Sequence, residues 1–120
     1  MILVDTSIWI DHLRAGNAKL AGLLAEGTVF THPFVIGELA LGDFRQRRAV
    51  LEDLSDLPEV VVATDTEALR FIDRHTLFGR GVGYVDIHLL AAARLTPGAR
   101  LWTSDRRLHV VADTLGLAMA

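Results

Sequence analysis

Short apolar runs alternate with stretches of helical periodicity along the whole chain. The runs that we interpret as strands lie at residues 2–4, 28–31, 60–62, 100–103 and, as an edge strand, 117–119. They are mostly continuous apolar stretches without a strict apolar–polar alternation, which is typical of strands buried on both faces of a parallel sheet. We therefore predict an α/β fold, a three-layer α/β/α sandwich with a central, mainly parallel sheet of four to five short strands.

The intervening stretches carry apolar residues three and four positions apart, as amphipathic helices do. The predicted helices cover residues 8–13, 19–25, 33–41, 45–54, 66–77, 84–95 and 105–115. Pro33 stands at a first helical position, where its fixed φ is favourable, and Gly27 follows the end of the second helix. The helix at 84–95 is strongly apolar, so we expect it to be buried.

The composition fits one folded domain, residues 1–120, and excludes several classes of protein and of site. Apolar residues make up 51% of the chain and the mean hydropathy is +0.34, which is enough for a core and incompatible with disorder. The absence of cysteine excludes disulfides and thiolate metal sites. No secretory leader and no apolar run of membrane length is visible, so we expect a cytoplasmic protein with no membrane partner.

The net charge of −3 comes from 12 basic and 15 acidic residues, a balance that weakly opposes non-specific nucleic-acid binding. The types of basic residue make this argument against nucleic-acid binding weaker. Every basic residue except Lys19 is an arginine, whose planar guanidinium matches the geometry of a phosphate. Arg14, Arg80 and Arg106 are candidates to bind phosphate. A solvated, arginine-rich surface is the alternative interpretation.

Four acidic residues stand among apolar or small residues at predicted element junctions: Asp5, Glu38, Asp86 and Asp105. Asp5 directly follows the first strand, and Asp105 follows the fourth by two residues. In open parallel sheets, ligands bind beyond the carboxyl ends of the strands, so topology brings these two to one edge. Carboxylates at the edge of a core need a counter-charge, and hard divalent cations prefer oxygen ligands. We predict that the four residues are the metal ligands and catalytic groups of a site for phosphodiester chemistry.

Helix capping is the alternative for three of these acids. Asp5, Asp86 and Asp105 each stand at the start of a predicted helix, where aspartate is favoured as a cap or by the helix dipole. For Glu38 the alternative is the exposed face of a short helix. The glycines on either side of Glu38 favour close packing around a buried acid instead, because glycine inside a helix is otherwise unfavourable.

Taken in order, these motifs resemble those of the PIN domain, and in particular the VapC-type toxins of bacterial toxin–antitoxin pairs. The segments that carry the resemblance are ILVDTS at 2–7, IGEL at 36–39, GYVD at 83–86 and TSD at 103–105. The resemblance implies a PIN-like fold and an endoribonuclease that depends on Mg²⁺ or Mn²⁺ and cuts structured RNA such as tRNA or rRNA. It also implies a homodimer and a small antitoxin protein whose tail occupies the acidic pocket.

The resemblance extends to residues around the four acids. Thr6 and Thr103 match hydroxyl positions next to the acids of the family, and Thr103 or Ser104 could hydrogen-bond a metal-binding carboxylate. Arg106 and Arg107 occupy the place of a further acid that some members carry, which leaves the coordination of a second ion open. The mechanism implied is hydrolysis by a metal-activated water, without a nucleophilic side chain.

Other classes of protein fit the sequence less well. A haloacid-dehalogenase-like enzyme would need a second aspartate where Ser7 stands, and a phospho-receiver domain would need a late lysine, whereas Lys19 is early. The five histidines show no paired metal spacing, so we interpret most of them as surface residues or hydrogen-bonded core residues. The alternative that stays open is a non-catalytic or weakly active PIN-fold module that acts by docking protein or RNA.

Overall fold

Three parallel strands form the centre of the computed structural model, which describes residues 1–120. The first strand, β1 (Ile2–Val4), lies between β2 (Val29–Phe30) and β3 (Arg100–Trp102). Both neighbours run parallel to β1 and pair with it in continuous register, so the three strands end at the same edge of the sheet. The prediction of a parallel sheet in an α/β fold is confirmed.

The sheet has fewer regular strands than the four to five predicted. The two remaining segments form isolated parallel bridges, Thr31 with Glu59 and Leu101 with Ala118. After the first of these bridges the chain leaves the sheet, because the Val61 N–H donates to Thr96 Oγ1 at 2.9 Å and to no strand neighbour. The prediction therefore counted as strands two flanking segments that each pair through a single residue.

Seven helices make up the rest of the regular structure. They are α1 (Thr6–Ala15), α2 (Ala18–Ala25), α3 (Pro33–Ala40), α4 (Arg47–Ser55), α5 (Asp65–His75), α6 (Tyr84–Leu95) and α7 (Arg106–Thr114). Local sequence explains several starts: Asn17 caps α2, Thr64 and Glu67 form a capping box at α5, and Pro33 opens α3. Every predicted helix is present, with ends that differ by at most two residues.

Helix α6 is the most deeply buried helix, as its sequence predicts. Its residues from Ile87 to Ala93 are all buried, and it packs against α5 and β3. Helix α3 packs against α1 and α4. None of the seven helices has the length and apolar character that crossing a bilayer requires. The sheet and α6 form the buried centre that carries the acidic residues at its edge.

Candidate active site

The four acids predicted from the sequence are carried by the ends of β1 and β3 and by the helices beside them. Asp5 follows β1, and its N–H donates to the Trp102 carbonyl of β3 at 2.9 Å. Asp105 follows β3 and precedes α7, while Glu38 lies on α3 and Asp86 in the first turn of α6. The charges of the other three acids all act on Asp86. The structure therefore gathers the four residues at one edge of the sheet.

Two hydroxyl groups bridge the ends of β1 and β3 at Asp5. Ser7 Oγ donates to Asp5 Oδ2 at 2.7 Å, and Thr103 Oγ1 donates to the same oxygen at 2.8 Å. Each hydroxyl also accepts from a backbone N–H beyond β3, Ser7 from Ser104 at 3.1 Å and Thr103 from Asp105 at 3.0 Å. The buried Asp5 side chain is thereby tied to the backbone that leads to Asp105, and its Oδ1 takes part in none of these bonds.

Glu38 is also held by a hydroxyl group. Thr6 Oγ1 donates to Glu38 Oε1 at 2.7 Å, which joins α1 to α3. Glu38 is exposed, and a Cβ added at Gly37 would meet nothing within 4 Å. The interpretation of the neighbouring glycines as close packing around a buried acid is therefore wrong at Gly37. The bond to Thr6, and not packing, sets the position of the Glu38 carboxylate.

Asp86 is half-buried, and its environment disfavours the charged form. Burial raises the pKa of Asp86, and the negative charges of Asp5, Asp105 and Glu38 raise it further. A hydrogen bond from the Gly83 N–H to Asp86 Oδ2, at 3.0 Å, acts in the opposite direction. No cation is among the groups that shift this pKa. In the ion-free protein, Asp86 therefore holds its proton to a higher pH than an ordinary aspartate.

Asp105 caps α7, whereas Asp5 does not cap α1. Asp105 Oδ1 accepts from the Leu108 N–H at 3.0 Å. Asp5 stands at the equivalent position before α1 but makes no side-chain capping bond. The capping interpretation thus applies to Asp105 and fails for Asp5. The cap at Asp105 uses one carboxylate oxygen and leaves Oδ2 outside that bond.

The four carboxylates are suitable ligands for a hard divalent cation, although they are not close enough together to form a complete coordination site. All four side chains offer oxygen, the donor type that Mg²⁺ and Mn²⁺ prefer. No three His, Asp or Glu side chains lie close enough together to hold one ion. One oxygen of Asp86 and one of Asp105 accept from backbone N–H groups, of Gly83 and Leu108. Metal binding and catalysis by the four residues stay predictions.

The hydroxyl groups next to the acids come from three residues, one of which was not predicted. Thr6 and Thr103 each donate to a carboxylate. The Ser104 hydroxyl makes no hydrogen bond, and this residue contributes its backbone N–H instead. Ser7 donates in the place that Ser104 was expected to take. The signal that could have found Ser7 is its position two residues after Asp5 in a strand-to-helix turn, where serine side chains form local hydrogen bonds.

Two of the five histidines are fully buried. His32 caps α3, since its Nδ1 accepts from the Phe34 N–H at 2.9 Å, and burial together with the nearby His88 lowers the pKa of His32 to about 4. His88 Nε2 lies 3.1 Å from Asp65 Oδ1. His32 Nε2 and His88 Nδ1 have no partner, so the prediction of hydrogen-bonded core histidines is confirmed for one nitrogen of each ring and wrong for the other. No histidine hydrogen-bonds to the four predicted acids.

Comparison with known proteins finds the same family along the whole chain. A sequence model of the PIN domain matches residues 2–114. The chain is 50% identical over 120 residues to Ribonuclease VapC32 of Mycobacterium tuberculosis, in both the CDC 1551 / Oshkosh and the ATCC 25618 / H37Rv strains. These alignments cover 100% of this chain and 97% of each relative. The resemblance inferred from four short motifs therefore extends to the residues between them.

Proposed function

The chain belongs to the PIN-domain family and is of the VapC type, and on this premise we propose that it is a divalent-metal-dependent endoribonuclease, the toxin of a toxin–antitoxin pair. The observation that carries the proposal is the gathering of Asp5, Glu38, Asp86 and Asp105 at one edge, expressed in the raised pKa of Asp86. The name of the relatives from Mycobacterium tuberculosis supports RNA as the substrate. The substrate class that we propose is structured RNA such as tRNA or rRNA.

The four carboxylates would hold the ion, Mg²⁺ or Mn²⁺. When bound, such an ion would lower the pKa of a water molecule and offset the negative charge that builds on the phosphate during hydrolysis. Burial and, after it, the negative charges of the other three acids raise the pKa of Asp86. A cation binds the ionised side chain, so affinity for the ion should increase as pH rises. Ion binding should also stabilise the folded chain, because the unfolded chain has no such gathering of acids.

The neighbouring hydroxyls orient the carboxylates. Ser7 and Thr103 both donate to Asp5 Oδ2, which leaves Oδ1 as the oxygen of that side chain without a hydroxyl partner. Thr6 holds Glu38 Oε1 in the same way. Partners of this kind set the direction of a metal ligand and raise its affinity.

An apolar groove that begins at Glu38 supports the docking of an antitoxin segment. The groove has a volume of about 400 Å³, and its lining includes Ile10, Leu13, Leu39 and Phe44. A peptide with apolar side chains for the groove and a cation for Glu38 would cover this edge and block it. We propose a small antitoxin protein as that partner. The proposal of a homodimer rests on the family alone.

RNA cleavage by the purified chain tests the proposed function. The wild type should cut tRNA or rRNA with Mn²⁺ or Mg²⁺ and stop when the ion is chelated. Asp5→Asn and Asp86→Asn should each lower the rate more than about 100-fold, because losing a mere outer partner of a metal ligand costs about 10–100-fold. Asp73→Asn is the matched control, since Asp73 is an exposed helical aspartate without a side-chain hydrogen bond. Its rate should equal that of the wild type.

Two results would contradict this proposal. Absence of cleavage at saturating Mn²⁺ across structured and unstructured RNA would favour the alternative, a non-catalytic module that docks protein or RNA. Cleavage that survives Asp5→Asn would place the activity outside the acidic edge. The thermal stability of each variant, measured without metal, shows whether a loss of activity reflects a loss of folding.

A further inference from the structure

An arginine-lined cavity lies next to the acidic edge. Arg80, from the loop between α5 and α6, and Arg106 and Arg107, from the first turn of α7, line an open cavity of about 270 Å³. Val110 and Val111 form its apolar wall. Two of the arginines selected from the sequence as phosphate-binding candidates therefore share one site, together with a third that was not selected.

None of the three arginines is neutralised by an acid. The two side-chain ion pairs of the chain both lie elsewhere. Arg106 and Arg107 also stand at the start of α7, where the helix dipole disfavours cations; the acid at this helix start is Asp105, whose carboxylate caps the helix and forms no ion pair with either arginine. Unpaired positive charge in this position does not stabilise the fold. An anionic ligand would remove the unfavourable interaction.

The other arginines of interest are paired or lie farther from the acids. Arg14, the remaining candidate from the sequence, is ion-paired within α1. Arg70, Arg74 and Arg94 line a separate cavity between the later turns of α5 and α6. Arg94 lies eight residues beyond Asp86 along α6, about 12 Å by the rise of an α-helix. The cavity of Arg80, Arg106 and Arg107 is thus the one that the chain places beside the acidic edge.

The stem of Arg107 lies directly on the loop that carries Arg80. A Cβ added at Gly81 would stand 2.9 Å from Arg107 Cδ and 3.0 Å from its Nη1. Gly81 also has a φ of +76°, in the left-handed region that favours glycine. The positive φ favours glycine here, and a side chain at this position would displace the end of Arg107. The Arg107 side chain therefore lies against the backbone next to Arg80, which places these two residues at the same side of the cavity.

The cavity is joined to the acidic edge through the chain on two sides. Asp105 directly precedes Arg106, and Gly81 lies two residues before Gly83, whose N–H donates to Asp86. The arginines do not neutralise the carboxylates, because neither side-chain ion pair of the chain joins an arginine to one of the four acids. Positive and negative groups are therefore adjacent along the chain but unpaired. This arrangement is expected where the acids bind a cation and the arginines bind a phosphate.

We propose that Arg80, Arg106 and Arg107 bind a backbone phosphate of the RNA substrate beside the bond that is cut, and so position the strand on the acidic edge. This proposal rests on the proposed function. A guanidinium donates two parallel hydrogen bonds to a phosphate, which gives orientation as well as affinity. Since every nucleotide carries the same phosphate, the contact sets register on the RNA and carries no base preference of its own.

RNA binding by a chain that cannot cut it tests the phosphate site directly. In the Asp5→Asn background, adding Arg106→Gln should weaken the Kd for a structured RNA about tenfold and lower the slope of log Kd against log salt by roughly 0.7 to 0.9. Arg80→Gln should act in the same way. Arg74→Gln is the matched control, because Arg74 is likewise exposed and unpaired but lines the other cavity. It should change neither quantity.

Steady-state cleavage in the otherwise native chain gives a second readout. Arg106→Gln should raise KM more than it lowers kcat, and Arg106→Lys, which keeps the charge but not the fork, should recover part of the loss. If Arg80→Gln and Arg106→Gln bind and cut RNA as Arg74→Gln does, the proposal of a phosphate-binding site is contradicted, and the proposed ribonuclease function is not affected. If the wild type neither binds nor cuts RNA, both proposals fall.

Discussion

The four acidic residues fall into two pairs that the fold supports in different ways. Asp5 and Glu38 accept hydrogen bonds from side-chain hydroxyls, whereas Asp86 and Asp105 accept from backbone N–H groups at the starts of their own helices. Sequence position does not separate the pairs, since Asp5 and Asp105 both immediately precede a helix. The comparison shows that an aspartate before a helix is free for other chemistry when hydroxyl groups occupy one of its oxygens.

The two kinds of support differ in how local they are. The bonds to Asp86 and Asp105 join residues three apart, so any helix with these residues can form them. The bond from Thr103 to Asp5 joins residues 98 apart, and the bond from Thr6 to Glu38 joins residues 32 apart. Among the hydroxyl bonds, only that from Ser7 to Asp5 is local, because it joins residues two apart. The hydroxyl-supported pair therefore depends in part on the packing of strands and helices, and mutations should affect the pairs differently.

Apart from replacing an acid, the largest expected effect on cleavage comes from removing hydroxyl support at Asp5. Ser7→Ala should lower kcat/KM for RNA cleavage about 10–100-fold, because an outer partner that orients a metal ligand typically contributes that much. The Asp5 carboxylate itself stays in place with its bond from Thr103. The measurement is cleavage rate against Mn²⁺ concentration, where weaker ion binding should appear as a higher half-saturating concentration.

Ser104→Ala is the control for this change, because the Ser104 hydroxyl makes no hydrogen bond while its backbone N–H still reaches Ser7. Its cleavage rate should match that of the wild type. Equal losses in the two variants would mean that the Ser7 hydroxyl has no special connection to Asp5. The comparison between the pairs would then lose its functional meaning.

A smaller effect, on stability, is expected at the capping pair. Asp105→Ala should lower the free energy of unfolding by about 1 kcal/mol, because the Leu108 N–H loses its acceptor. Asp105→Asn should unfold close to the wild type, since asparagine caps as well as aspartate does. Urea unfolding without metal measures both. Asp105→Ala with wild-type stability would show that the cap contributes nothing, and the division into two pairs would fail at Asp105.

The smallest effect on stability, and the most pH-dependent one, is expected for Asp86→Asn. A carboxyl whose pKa is raised in the folded state favours folding below its ordinary pKa of 3.8, and this contribution is lost as pH rises through the raised value. The amide that replaces the carboxyl in this variant would carry no charge at any pH and could still accept from Gly83. Without metal, the variant should therefore be as stable as the wild type or more stable at neutral pH.

Thermal unfolding with and without Mn²⁺, at acidic and at neutral pH, measures this difference. The ion should raise the Tm of the wild type at neutral pH and leave that of Asp86→Asn nearly unchanged. A variant that is much less stable than the wild type at neutral pH without metal would show that Asp86 serves mainly to begin α6. Such a result would contradict the stability expected from replacing a carboxyl whose pKa is raised by burial and by the neighbouring acids.

Much of the architecture could be predicted because its signals are local. The apolar stretch at 84–95 produced a buried helix with the predicted ends, and Pro33 opened α3 as expected. The flanking segments at 60–62 and 117–119 were harder, because an apolar run does not reveal how many neighbours are within reach. Val61 bonds to Thr96, a partner 35 residues away, and this contact ends the pairing.

In the candidate site, too, some features could be predicted from the sequence and others could not. Asp5, Glu38, Asp86 and Asp105 could be found from the sequence, since acids at element junctions in an apolar chain stand out. Ser7 carried a local signal, its position two residues after Asp5, but the choice between Ser7 and Ser104 depends on which side chain faces Asp5 once β1 and β3 are paired. The cavity lined by unpaired arginines could be recognised only from the structure, because adjacency in the sequence does not show which guanidinium groups line the same cavity.

By itself the sequence determined the alternation of strands and helices, the buried α6 and the four acids at element junctions. These follow from side-chain size, periodicity and backbone preference, which act over a few residues. The tertiary structure alone decided that Ser7 and Thr103 share one oxygen of Asp5, that Asp105 caps while Asp5 does not, and that Arg107 lies on Gly81. Contacts of this kind depend on strand register and helix packing, because hydrogen bonds and van der Waals contacts form only within a few ångströms.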